Sequence, residues 1–193
     1  MTRNEILEAA SQIFSQKGYH ATSMQDIASA VNLQKASLYH HISSKQEILL
    51  ALLDAALDLV ISKVENVAGQ SLPADRKLRL AMRTYLQALT DQRDLASVLL
   101  FEHRSLKPEF QTRHLPRRDR FERLWRDMIQ MGLDQGIFAC EDVAMAARAL
   151  LGIMGWMVTW YRPGGALSAA EISDQYADLL LNGLLIREGG DEL

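Results

Sequence analysis

Cysteine occurs once in the 193 residues, at Cys140, so the chain can form no internal disulfide and has no cysteine-rich metal cluster. Four prolines and eleven glycines, with no repeat and no low-complexity stretch, leave little room for a structureless linker. Strict two-residue alternation of apolar and polar positions is missing throughout, which argues against half-buried strands. The longest apolar run without a charge, Ala149 to Tyr161, falls short of the roughly 20 residues that cross a bilayer, so no membrane partner is expected. Residues 1 to 8 are charged and lack the basic-then-apolar layout of a secretory leader, and a cytoplasmic location is expected. Phosphate-binding glycine loops and metal-ligand spacings are also missing, so neither enzyme activity, cofactor nor metal is expected. Glu102 with His103 and His114 comes nearest to a catalytic group. The net charge of −3 excludes a protein that coats nucleic acid by bulk electrostatics.

What the sequence does have is helical periodicity almost everywhere. Ile6, Ala10, Ile13 and Phe14 form one face of a first helix that stops at Gly18. "TSMQDIASAV" starts a second, with Thr22 or Ser23 as cap and Met24, Ile27, Ala28 and Val31 facing inward. Asn32 tolerates the left-handed turn, and a third short helix runs from about Gln34 to His41. Two short helices joined by such a turn make a helix-turn-helix, whose second helix is presented to a DNA groove. Ser44 and Glu47 have capping-box spacing at the head of a long helix to Gly69. Further helices are predicted from Pro73 to about Thr90, over 94–105, from the Pro108 to Pro116 region to Gly136, over 141–161, and from Ser168 to near Arg187. The expected fold is all-α with nine helices. A DNA-binding domain over 1–46 precedes a larger helical domain over 47–193.

"TSMQDIASAVNLQKASLYHHISSKQEIL" resembles the DNA-binding unit of the TetR family of transcriptional regulators. That unit has a Thr/Ser cap, an Ile-Ala pair, a turn, a Lys-small-Ser/Thr-Leu-Tyr run and a Lys-Glu pair. Asn32, Gln34 and Ile42 depart from the family's usual glycine, serine and phenylalanine, and Gln34 bears on which bases are read. Amides, hydroxyls and cations read base edges, while cations and hydroxyls hold phosphates. Gln34, Lys35 and Ser37 therefore form the expected reading edge, and Ala36 permits close backbone approach. The resemblance gives Tyr39 and His40 to phosphates. Lys45, Thr22 and Ser23 are expected to supply further anion contacts. Adjacent His40 and His41 point about 100° apart on a helix and cannot share a metal.

Residues 1 to 50 balance Arg3, Lys17, Lys35 and Lys45 against Glu5, Glu8, Asp26 and Glu47. So neutral a unit makes few phosphate contacts, and its weak grip calls for two copies on a palindromic operator. The apolar helix over 141–161 and the last helix supply a candidate dimer interface at Leu151, Gly152, Gly155, Tyr176, Leu180, Gly183 and Leu184. Both glycines are expected to strip one side for close contact.

The family resemblance implies that 47–193 is a ligand-binding and dimerisation domain and that repression is relieved by a small-molecule effector. Candidate pocket residues are Tyr85, Leu89, Phe101, Phe121, Leu124, Trp125, Met128, Met154, Met157 and Trp160, though such stripes are commonly plain core. "RHLPRRDRFERLWR", residues 113 to 126, holds six arginines. Pairs Asp119–Arg123 and Glu122–Arg126 suggest a salt-laced surface. The sharper reading has Arg113, Arg117, Arg118 and Arg120 hold the phosphate of an acyl-coenzyme A whose tail is apolar. It is aided by the similarity of "MVTWYRPGGALSAAEISDQYADLLLNGL" to TetR-like regulators of fatty-acid or steroid breakdown. A helical protein-interaction module or a helical enzyme without DNA binding is the competing class.

Overall fold

The computed structural model describes residues 2–183 and contains, among them, nine α-helices and no β-strand. They are α1 (Arg3–Lys17), α2 (Met24–Ala30), α3 (Lys35–Tyr39), α4 (Lys45–Ala68), α5 (Ala74–Asp91), α6 (Arg93–Ser97), α7 (Pro108–Asp134), α8 (Val143–Trp160) and α9 (Ala169–Asn182). A π turn over Val98–Glu102 and a 3-10 turn over His103–Ser105 continue α6, so the single helix expected over 94–105 is three consecutive helical types.

Side-chain caps set several of these starts. Ser23 accepts a hydrogen bond from the Asp26 N–H, and the Asp26 carboxylate accepts one from the Ser23 N–H. The same reciprocal box forms between Ser168 and Glu171 at α9. Each box satisfies amide donors that a helix start otherwise leaves unpaired. At α4 only half of the expected box exists. Ser44 accepts from the Glu47 N–H, but the Glu47 carboxylate binds Arg113 at 3.0 Å instead of reaching back.

The chain divides into two compact units, one of residues up to Leu59 with Asp91–Asp119, the other of Val60–Thr90 with the chain from Arg120 onward. The unit holding the helix-turn-helix is thus larger than residues 1–46. The start of α4, α6, the two turns after it and the start of α7 share its core. Ile6, Ala10, Phe14, Ile27, Leu38, Ile48, Leu49, Leu53, Val98 and Leu106 are buried there together.

α7 runs through Pro116, where the sequence suggests a helix start. A proline inside a helix removes one backbone bond and costs about 3 kcal/mol. Side chains flanking it offset that cost through pairs with α4. His114 Nδ1 lies 2.9 Å from Asp54, and Arg117 reaches Asp54 and Asp58 at 3.1 Å each.

In the second unit, Gly132 near the end of α7 lies against the buried Phe138 ring, and its carbonyl accepts the Ile137 and Phe138 N–H groups. A Cβ at Gly132 would overlap that ring. Gly132→Ala is therefore expected to cost about 1 to 3 kcal/mol. Thermal unfolding checks this, and an unchanged midpoint would contradict it.

Candidate nucleic-acid interface

The site is built by a turn that only a few residue types can make. Asn32 takes φ 54°, and the Leu33 N–H donates to the Ala28 carbonyl at 2.8 Å, closing α2 and redirecting the chain into α3. Asparagine is among the non-glycine residues that accept this conformation at low cost. Leu38 and Ile42 are buried and fix α3 to the core, which decides which side of α3 is left outside.

That outer side carries most of the expected reading edge. Gln34, Lys35, Ala36, Tyr39 and His40 are exposed, and Ser37 is half-buried. Gln34 occupies the N-cap position with extended backbone, yet its side chain caps nothing, so the amide is free to donate and accept. Lys35 has no carboxylate partner among the described residues. An exposed amide, an unpaired ammonium, a hydroxyl and a phenol on one short helix match the groups that read base edges and hold phosphates. Arg3 and His41 join Tyr39 and His40 around a shallow depression beside α3. The sequence does not announce Arg3, because the fold, and not chain proximity, brings it there.

Thr22 and Lys45, expected at phosphates, have partners inside the protein. Thr22 is buried, and its hydroxyl donates to the Gly18 carbonyl at 2.8 Å. The Lys45 ammonium donates to the carbonyls of Tyr19 at 2.8 Å and Thr22 at 2.5 Å and lies 4.2 Å from the centre of the Tyr19 ring. Burial pushes its pKa down, with Asp26 and Glu102 opposing that shift. Two of its three donors thus tie the α1–α2 corner to the head of α4. Ser23 stays exposed, although its hydroxyl serves the α2 cap. Glu102 is structural too, since its carboxylate accepts the Tyr19 N–H and the Ser105 hydroxyl.

The candidate effector residues separate in the same way. Tyr85, Phe121 and Trp125 pack edge to face or tilted, with centroids 5.3 to 6.1 Å apart, and are buried with Leu89, Met128, Met154 and Met157 in the second unit. Leu124 is half-buried. Phe101 belongs to the other unit and is 47% exposed, while Trp160 is 44% exposed, so neither belongs to this buried group. Burial raises the Tyr85 phenol pKa well above its ordinary value.

Of the four arginines expected at a ligand phosphate, three are engaged by α4. Arg113 binds Glu47, Arg117 binds Asp54 and Asp58, and Arg120 binds Glu65 at 2.6 Å. Arg118 alone of the four has no carboxylate partner among the described residues. Glu122 pairs with Arg126 as the helical spacing suggests and also with Arg148, whereas Asp119 and Arg123 do not pair with each other.

On α8, Met145, Gly152, Trp156 and Trp160 are exposed at helical spacing, and on α9 Leu179 is 69% exposed. Tyr176, Leu180 and Leu151 are half-buried and Gly183 is exposed. Gly155 is buried inside its own unit, so it does not share the open side of Gly152 as expected. Leu184 lies outside the described residues.

Comparison with known proteins agrees with this geometry. A family model described as bacterial regulatory proteins, tetR family, matches residues 6–52, and one described as tetracyclin repressor-like, C-terminal domain, matches residues 71–184. The transcriptional repressor KstR2 of Mycobacterium tuberculosis is 30% identical over 187 residues, covering 94% of this chain and 92% of that protein. The crystal structure of the TetR family regulator PfmR from Thermus thermophilus is 38% identical, covers 92% of this chain and 97% of its own, and superposes with a TM-score of 0.84. AibR, solved in complex with isovaleryl coenzyme A and operator DNA, is 28% identical over 95% of this chain and 97% of its own, with a TM-score of 0.83. These relatives regulate transcription and are not enzymes, and this chain belongs to the TetR family of bacterial transcriptional regulators.

Proposed function

We propose that the protein is a cytoplasmic, homodimeric repressor that holds a palindromic operator through Gln34, Lys35, Ala36, Ser37, Tyr39 and His40 and lets go when an acyl-coenzyme A binds. The observation that carries the DNA reading is the outer side of α3, where polar and cationic groups are exposed with no partner among the described residues. Groups so placed, outward and unpaired, are open to phosphates and base edges.

Met145, Trp156 and Trp160, exposed at helical spacing along α8 with the open Gly152, support pairing of two copies, since an apolar stripe left in water marks an interface.

Two observations support the effector class. AibR was crystallised with a coenzyme A thioester and its operator. In the buried aromatic group, the Trp125 indole N–H has no hydrogen-bond partner among the described residues, and burial alone accounts for the shift of the Tyr85 phenol. A buried donor left unpaired costs about 1 to 3 kcal/mol. An acceptor on an otherwise apolar ligand, such as a thioester carbonyl, would remove that cost. A ligand releases DNA only if it prefers the conformation that does not bind the operator.

Thermal unfolding with dodecanoyl-coenzyme A and with free dodecanoate tests the effector. At about 100 times its dissociation constant, a specific ligand adds roughly 2.7 kcal/mol of stability. The thioester is expected to raise the midpoint and displace operator DNA, and the acid to do neither. Equal or absent shifts would end the acyl-thioester reading. Selection of bound fragments from random DNA tests the operator, and a failure to enrich any palindrome would count against the DNA reading.

A further inference from the structure

The unit that holds the helix-turn-helix also contains a cavity of about 320 Å³ between the 3-10 turn after α6 and the start of α7. Its volume is at the low end of the small-molecule range. Arg104, Arg118, His103, His114, Gln111 and Leu115 line it, with no carboxylate in the lining. Neither guanidinium forms an ion pair among the described residues, although Arg113 and Arg117 on the same helix as Arg118 both do. Burial lowers the His103 pKa, and the charges of Arg104 and Arg118 lower it further, so both cations act on the same small region.

A second observation points independently to a ligand. His114 is 4% exposed and lines the cavity. Asp54 holds its Nδ1 at 2.9 Å, and its Nε2 is buried with no partner among the described residues. Two guanidiniums without an ion pair among the described residues, in a lining that holds no carboxylate, form an anion site, with the half-satisfied imidazole beside them. Arginine's planar fork suits a phosphoryl oxygen pair in particular.

We infer that this cavity binds the phosphoryl group of a small molecule, with Arg104 and Arg118 as clamp and His114 as buried wall. The source is either free phosphate or the phosphate of a nucleotide, coenzyme A among them, and the site stands whether or not the effector proposed above does. The 3-10 turn beside the cavity is also joined to the DNA-binding head. Gln46 donates to the Ser105 carbonyl and the Tyr19 hydroxyl, and it accepts the Lys107 N–H.

Calorimetric titration of the full-length protein with inorganic phosphate, adenosine 3′,5′-bisphosphate and dodecanoyl-coenzyme A tests this. The variants are Arg104→Ala, Arg118→Ala and, as a charge-matched control on α5, the exposed Arg83→Ala. Phosphate or the bisphosphate is expected to bind the wild type, to weaken about tenfold or more in each cavity variant, and to be unchanged in the control. Binding of inorganic phosphate assigns a free-phosphate site, and binding of the bisphosphate without it assigns the nucleotide end. Absence of binding by both probes would overturn the site, and so would equal affinity in all variants. Dodecanoyl-coenzyme A binding that ignores both arginines would leave the effector reading standing while removing this cavity from it.

Discussion

Lys35→Ala is expected to weaken operator binding about thirtyfold while leaving the unfolding midpoint and the oligomeric state unchanged. The reason lies in where α3 puts this ammonium. It is exposed, it stands at the first residue of α3, and no acid among the described residues holds it, so its removal costs the free protein nothing. In a symmetric complex it acts twice, and a loss of about 1 kcal/mol per contact gives about 2 kcal/mol in all. Titrations at several salt concentrations separate its two possible targets. Loss of a phosphate contact lowers the salt slope by about two per dimer, whereas loss of a base contact leaves the slope in place. Lys45→Ala is the contrasting variant. Its donors serve the Tyr19 and Thr22 carbonyls, so the unfolding midpoint falls, by about 1 to 3 kcal/mol of stability. If the two lysines behaved alike in both assays, the division between a reading residue and a strut would be wrong.

That division also shows what the sequence could and could not disclose. The α2–α3 turn was legible because its determinants are local: a serine cap, an apolar period and an asparagine at the one position that needs positive φ. The burial of Leu38 and Ile42, which faces α3 outward, followed from the same period. The internal partners of Lys45 and Thr22 were not legible, because residue type announces a donor but not its acceptor. The acceptors of Lys45 lie at a corner that exists only after α1, α2 and α4 meet. The arginines of α7 were half legible. Helical spacing gave the Glu122–Arg126 pair, but Arg113, Arg117 and Arg120 chose acids on α4, where Glu47, Asp54, Asp58 and Glu65 recur at spacings of four and seven. The same cross-helix pairs offset the proline that suggests a helix boundary. Gly155 was misplaced for a related reason. Gly152 and Gly155 are close on the helix circumference, and the edge between inside and outside falls between them, which periodicity cannot locate to one residue.

Trp156→Glu is expected to convert the protein to a folded monomer and to lower operator affinity about a hundredfold or more. The side chain is 64% exposed on α8, so a glutamate there has water around it in the single subunit and disturbs little of the core. In a dimer that covers this stripe, the same carboxylate would have to be buried without a partner, at a cost of several kcal/mol. Leu179→Glu on α9, at 69% exposure, is expected to act in the same way. Gly152 adds a steric probe. Apart from its own helix backbone, nothing among the described residues lies within 4 Å of a Cβ placed there, so Gly152→Leu is expected to meet an obstacle when a partner helix approaches. The effect on DNA follows from linkage of two weak grips. A neutral head making a few phosphate contacts binds poorly alone, and tethering the second head supplies an avidity of about 10² to 10⁴ that a monomer forfeits. Sedimentation and operator titration of the three variants provide the measurement. A dimer that survives all three substitutions would place the pairing surface elsewhere. A monomer that still gripped the operator at full strength would show instead that one head is sufficient.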